Sequence, residues 1–258
     1  MKVKILSKKG NKVHFLLSGT TPAFANALRR IMISEVPTLA VDYVNIEDNN
    51  SVFFDEVLAH RIGLVPLEFP DKLNLKEECK CEGKGCALCE ATLVLEKSGP
   101  CFVHAKDLKS SNKEVKPVEG DSIIVELLEK QKVKLEAVAR LGRGTEHAKW
   151  QAANAVYQTY PVVEVSNVAK AKKFMKDNGL DEVFDTSGKI EVSDLTKIDL
   201  IGLKDPEGSF EVKEDDTKFI FKVESISGLA PEDIILQSVE ILKKKTEEFK
   251  SQLKELKA

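Results

Sequence analysis

The feature that most constrains this sequence is a seam of mainly apolar residues near its C-terminus. The seam positions alternate spacings of four and three residues, the heptad pattern of a helix that packs along another helix: Ile235, Val239, Leu242, Thr246, Phe249, Leu253 and Leu256. Pro231 and the acidic pair that follows it predict where this helix begins. Burying one apolar side chain contributes about 1.5–3 kcal/mol, so the seam needs a cover. The cover is either the chain's own core or a partner helix, and a helix of roughly 40 Å favours a partner.

The length of the chain and its net charge limit the number of domains and the classes of function that it can have. A chain of 258 residues suits two modest domains, or one domain with an insertion, and 42% hydrophobic residues are enough for a core. The net charge is −3, with 39 basic and 42 acidic residues. A protein that binds nucleic acid alone usually has a basic excess. The charge therefore argues against a free-standing zinc-dependent nucleic-acid binder.

Local patterns predict an α+β chain. Alternating apolar segments indicate strands at residues 3–6, 13–17, 39–46, 92–96, 123–127 and 132–140. Helix signals predict helices at 22–35, at 55–62 with Gly63 as the C-terminal cap, and at 169–178 closed by Gly179. Residues 210–212 and 218–223 predict a hairpin around Asp215 and Asp216.

Four of the five cysteines lie within one short segment, in the pattern C-x-C-x4-C-x2-C: Cys79, Cys81, Cys86 and Cys89. Four thiolates match a closed tetrahedral zinc site, and Gly83 and Gly85 permit the reversal that brings the pairs together. No ligand position is left open, so a single structural zinc ion is expected. Two disulfides are the alternative, and an iron–sulfur cluster is disfavoured by the short first spacing.

No catalytic residue is predicted. The chain has no nucleophile elbow, no paired-histidine zinc helix, no kinase motif set and no aspartate cluster for two magnesium ions. The one enzymatic alternative is a thiol redox enzyme using the cysteine segment. There is no signal peptide and no membrane-length apolar stretch, so we expect a cytoplasmic protein without membrane contact.

Several segments together resemble a known family. Asn26-Ala27-Leu28-Arg29-Arg30, the segment from Phe54 to Leu67, residues 144–150 and residues 221–225 are similar to the D subunits of archaeal RNA polymerase. That family is the counterpart of the bacterial alpha subunit and of the third-largest subunit of eukaryotic RNA polymerase II. The resemblance follows nearly the whole chain in the expected order.

The resemblance implies a non-catalytic scaffold subunit that forms a heterodimer with the small L subunit. The pair would form a platform for the two largest subunits, and DNA would be contacted only through the assembled enzyme. The first and last helices would bind the partners, through Phe24, Leu28, Arg29, Arg30, Ile31, Ile235, Val239, Leu242, Phe249 and Leu253. Arg30 would contact the second-largest subunit. The eukaryotic counterparts carry a zinc site with spacing like that of the cysteine segment.

The resemblance also implies a domain plan. Residues 1–45 and 209–258 would form a dimerisation domain from both chain ends, and residues 46–161 a mainly-β insert domain with the cysteines. Residues 162–208 would form a small ferredoxin-like subdomain. Some archaeal members hold iron–sulfur cysteines in that subdomain, but this stretch has no cysteine. We therefore expect no iron–sulfur cluster.

Overall fold

The computed structural model describes residues 1–178 and 208–255, and they form an α+β protein, as expected. The helices are α1 (Pro22–Ser34), α2 (Asp55–Gly63), α3 (Val168–Asp177) and α4 (Pro231–Glu255). The strands are β1 (Lys2–Lys9), β2 (Lys12–Ser18), β3 (Thr38–Asn49), β4 (Leu67–Glu68), β5 (Glu90–Ser98), β6 (Cys101–His104), β7 (Lys109–Ser110), β8 (Lys116–Pro117), β9 (Ile123–Leu127), β10 (Lys132–Gly142), β11 (Ala153–Val165) and β12 (Phe210–Ser225). Short 3-10 turns occur at Ala105–Asp107 and Ala148–Trp150.

The chain divides into two compact units, residues 1–29 with 155–224 and residues 30–154 with 225–258. The first unit contains a four-stranded sheet in the order β1-β2-β12-β11. Apolar residues alternate along β2 and pair across to those of β12, as in Phe15 opposite Phe221, whose rings stack at 4.9 Å. Tyr157 from β11 packs against Phe219 and Phe221 on the same sheet.

The second unit is built on a sheet in the order β3-β10-β5-β7. Its central strand β10 alternates, so that one side buries five apolar residues completely or nearly so: Val133, Leu135, Ala137, Ala139 and Leu141. Helix α2 adds Leu58 and Ile62 to this core. The cysteine segment, residues 79–89, is attached directly to this sheet, because β5 begins directly after Cys89.

Two local predictions were wrong. The expected hairpin around Asp215 is part of the single continuous strand β12, because β12 is hydrogen-bonded between β2 and β11 in its sheet; Lys213 Nζ also pairs with Glu164 of β11 at 2.6 Å. Gly63 belongs to α2 rather than to its cap, because the next residue, Leu64, continues in a right-handed conformation with φ −91°.

Strand β11 was missed from the sequence, partly because Pro161 lies inside it. The proline is tolerated because β11 is at the edge of its sheet. The strand runs across the expected boundary between residues 161 and 162, and the domain plan stays a prediction. Most of the expected subdomain at 162–208, including Gly179, lies outside the described residues.

Candidate functional site

Helix α4 leaves the predicted seam open. The side chains that α4 buries in the described chain are Pro231, Ile234 and Ser238, which lie on a different stripe of the helix. On the seam, Ile235 and Leu242 are half-buried, and the other apolar positions are exposed: Val239 (47%), Phe249 (62%) and Leu253 (43%). The seam position Thr246 is exposed as well, and Leu256 lies outside the described residues. The seam is therefore not covered by the described part of this chain.

The second half of α4 has little support from its own chain. Lys245 Nζ contacts Glu35 Oε1 at 2.5 Å, and from Thr246 to Glu255 every residue is exposed. This stretch is roughly 15 Å of helix at 1.5 Å per residue. Isolated helices shorter than about 12–15 residues are marginal in water, so the stretch is suited to being stabilised by a partner.

The expected contact residues of α1 fall into two groups. Leu28 (3% exposed) and Ile31 (4%) are buried in the chain, so they anchor the helix rather than offer a surface. Phe24 and Arg29 are half-buried, and Arg30 is exposed. Arg29 donates from Nε and Nη2 to Asn26 Oδ1 at 3.2 and 3.0 Å, which fixes its guanidinium on the helix surface. Of the two adjacent arginines, Arg30 therefore reaches further into solvent.

The structure brings the four predicted cysteines together. Their sulfur atoms all lie within 4.8 Å of one another, with 3.6 Å from Cys79 to Cys86 and from Cys81 to Cys89. Cys86 and Cys89 are 3.8 Å apart. The distances exceed the roughly 2.05 Å of a disulfide bond, and the thiols are free. The four side chains could hold a metal ion.

The cysteine loop has the backbone that a tight reversal needs. Gly83 and Gly85 have φ values of +78° and +87°, which suit glycine. Lys76 Nζ binds Glu90 Oε1 at 2.7 Å, and Asn74 donates its backbone N–H to Leu88 O at 2.8 Å. These contacts close the loop across its base, so the sulfur atoms are positioned by local geometry.

The thiols differ in their affinity for protons. Burial raises the pKa of Cys89 to about 12. Burial also pushes the pKa of Cys81 upward, but hydrogen bonds from Cys79 and Cys89 outweigh it and bring that pKa to about 7. A cation that binds all four sulfurs must displace their protons, so its binding weakens as the pH falls.

A second cluster, around Trp150, was not anticipated in detail from the sequence. Arg140 and Lys149 lie over the indole ring at 4.4 and 4.3 Å from its centroid. Arg140 Nε also donates to Asp42 Oδ2 at 2.8 Å. Burial raises the pKa of Asp42, but the hydrogen bond and charge of Arg140, with the charge of Lys149, outweigh it and lower that pKa. The only signals in the sequence were the single tryptophan and the glycines before it, at 142 and 144.

The packing around Trp150 gives residues 142–150 a structural role. A Cβ at Gly142 would lie 2.5 Å from the ring of Trp150, so the indole packs directly on the backbone of β10. Trp150 Nε1 donates to Arg140 O at 3.2 Å. The cluster ties residues 142–150 to strands β3 and β10, and the packing of Trp150 explains the glycine at position 142.

Comparison with known proteins decides the family. Residues 14–246 match the RNA polymerase Rpb3/Rpb11 dimerisation domain. The chain belongs to this family. The match covers most of the chain and includes α1, the cysteine loop and the first half of α4.

Relatives agree with this assignment along nearly their whole length. The chain is 39% identical to the DNA-directed RNA polymerase subunit Rpo3 of Methanothermobacter thermautotrophicus, over 96% of this chain and 97% of the relative. It is 36% identical to the Rpo3 subunits of Methanosarcina acetivorans, over 99% of both chains, and of Pyrococcus furiosus, over 99% of this chain and 98% of the relative. These findings confirm the resemblance to the archaeal subunits.

The alternative of a thiol redox enzyme receives no support from these comparisons. Among the described residues, no helix has the length and apolar character needed to cross a membrane.

Proposed function

We propose that this chain is the assembly subunit of a DNA-directed RNA polymerase and that it pairs with the small L subunit through the seam of α4. The observation that carries the proposal is the exposed seam, with Phe249 62% exposed, in a chain that belongs to a dimerisation family. Exposed apolar side chains in a row mark a protein–protein contact. The Rpo3 names of the relatives support the polymerase as the assembly.

The helix α1 would complete the heterodimer contact and present Arg30 to the second-largest subunit. An exposed arginine suits that role, because its planar fork can bind a carboxylate or backbone carbonyls of a partner. Phe24 and Arg29 would lie at the edge of the contact, with Leu28 and Ile31 supporting the helix from below. Both chain ends, 1–45 and 209–258, would form the dimerisation domain, and 46–161 the insert domain.

The cysteine loop would hold one structural zinc ion. Four sulfurs at 2.3 Å from a tetrahedral zinc stand about 3.8 Å from one another. Three of the six sulfur pairs, at 3.6 to 3.8 Å, fit this value, and all four sulfurs lie within 4.8 Å of one another. All four positions of the ion would be filled by Cys79, Cys81, Cys86 and Cys89, which suits a structural role. We further propose that the subunit has no catalytic site of its own, has no iron–sulfur cluster and works in the cytoplasm.

Co-expression with the L subunit from the same genome tests the pairing. The expected result is a stable one-to-one complex in size-exclusion chromatography with light scattering. A full-length chain that stays a well-behaved monomer in the presence of L would refute the proposal.

Reconstitution with the two largest subunits tests the role of Arg30. Arg30→Ala is expected to weaken recruitment of the second-largest subunit and to leave the heterodimer intact, because Arg30 is exposed outside the seam. Lys113→Ala is the control, since Lys113 is an exposed basic residue outside the helices of the proposed contact. Equal assembly by both variants and the unaltered chain would remove Arg30 from the interface.

A further inference from the structure

The proposed pairing leaves an open cleft beside α4 unused. The cleft has a volume of about 660 Å³. It is lined by α4, by residues leading into the cysteine loop and by side chains near β3, β10 and the start of α4: Glu35, Pro37, Phe69, Asp71, Leu73, Leu75, Glu78, Leu141, Arg143, Leu229, Gln237, Glu240, Ile241, Lys244, Lys245 and Glu248. We call this the α4 cleft.

The α4 cleft and the seam use different sides of the same helix. With 3.6 residues per turn, the α4 residues of the cleft are centred about 130° round the helix from the line of Ile235, Leu242 and Phe249. A partner on the seam therefore leaves the cleft accessible. Helix α4 can contact two partners at once, one on each side.

The lining of the α4 cleft is incompletely covered by the chain. Leu141 is buried, but the other apolar members of the lining are only half-buried: Pro37, Phe69, Leu73, Leu75, Leu229 and Ile241. Half-buried apolar side chains on several walls of one cleft would gain free energy from a further apolar group placed between them. The occupant must therefore contribute apolar side chains.

The charged rim of the α4 cleft is acidic overall. It carries five carboxylates and three basic side chains. Lys245 pairs with Glu35 at 2.5 Å, and Arg143 is within 4.0 Å of Glu78. Three carboxylates of the rim then face a single lysine: Asp71, Glu240 and Glu248, with Lys244. An occupant with lysine or arginine beside its apolar groups complements this charge, and nucleic acid would be repelled.

We propose that the α4 cleft is a second docking site, which takes a lysine- or arginine-rich segment with apolar anchors from another polypeptide of the polymerase. The segment would place apolar side chains against Leu73, Leu75 and Ile241 and its basic groups against Glu240 and Glu248. The segment that leads into the cysteine loop forms one wall of this site, because Glu78, which directly precedes Cys79, lines the cleft and donates its backbone N–H to Leu75 O at 3.0 Å. Only the identity of the partner rests on the proposed function.

A peptide probe tests the chemistry of the site. A short synthetic peptide of leucine and lysine is titrated into the full chain and into its complex with L, and fluorescence anisotropy reports binding. A leucine–glutamate peptide of equal length is the counterpart. We expect the basic peptide to bind at least about 10-fold more tightly than the acidic one, and binding to weaken with added salt.

Charge reversal locates the binding on the protein. The double variant Glu240→Lys with Glu248→Lys is expected to weaken basic-peptide binding by about 10-fold or more. Glu247→Lys with Glu255→Lys makes the same change in net charge at exposed positions of α4 outside the cleft, and should leave binding nearly unchanged. In the reconstituted polymerase, the first variant should lose one partner that the second retains.

Three results would overturn the inference. The first is equal binding of the two peptides, and the second is equal effects of the two double variants. The third is a dimer of this chain in sedimentation that the peptide dissociates, which would mean that a second copy of this chain occupies the cleft. Failure of the proposed pairing would appear separately, as the absence of a complex with L. The titration of the full chain alone would still report on the cleft.

Discussion

Truncation of Phe249 gives the sharpest measure of the seam. The side chain is 62% exposed in the chain. A buried phenylalanine covers about 200 Å², so a partner that covered the exposed part would remove about 120 Å² from water. At 25 cal/mol per Å² this corresponds to about 3 kcal/mol, or an increase in Kd of about 100-fold for Phe249→Ala.

Isothermal titration of the chain with the L subunit measures this change. Ser251→Ala is the matched control, because Ser251 is exposed and lies about 200° round the helix from Phe249. The thermal unfolding of the isolated chain should change little in either variant, since neither side chain is packed. A change in Kd below about 3-fold, or the same change in the control, would refute the assignment of the seam to the heterodimer.

Three further outcomes test the rest of the structure. Cys79→Ser should lose the bound zinc in metal analysis of the purified chain while Cys101→Ser keeps it, and one ion in both variants would contradict a four-sulfur site. Asp42→Asn should lower the free energy of unfolding above pH 4, because the folded protein lowers the pKa of Asp42. The loss of free energy should shrink as the pH falls below the unfolded pKa of 3.8. A loss that is independent of pH in urea titrations would argue against this linkage. Gly228→Ala should lower the free energy of unfolding by more than about 1 kcal/mol in urea titrations, since its Cβ would lie 2.1 Å from Leu67 O. An unchanged urea midpoint would show that the backbone shifts to accommodate the methyl group.

The local elements of the fold were predictable because their signals are short-range. Alternation in 123–127 and the proline with its acidic neighbours at the start of α4 predicted elements that the structure has at the same places. Strand β11 and the unbroken strand β12 were not predictable in this way. Each is stabilised by its neighbour across the sheet, and pairing between residues such as Glu164 and Lys213 leaves no periodic signal in one sequence.

The sequence by itself determined the spacing of the seam and of the four cysteines. A heptad on a helix and four ligands in one short loop are set by distances along the chain, so the α4 seam and the sulfur cluster could be predicted from the sequence alone. Tertiary structure decided which side of α4 is left open. It buried Ile234 and Ser238, left Phe249 and Leu253 in water, and set the segment that leads into the cysteine loop beside another face of the helix to form the α4 cleft. These choices depend on contacts between residues far apart in the chain, and only the packed fold brings those residues together.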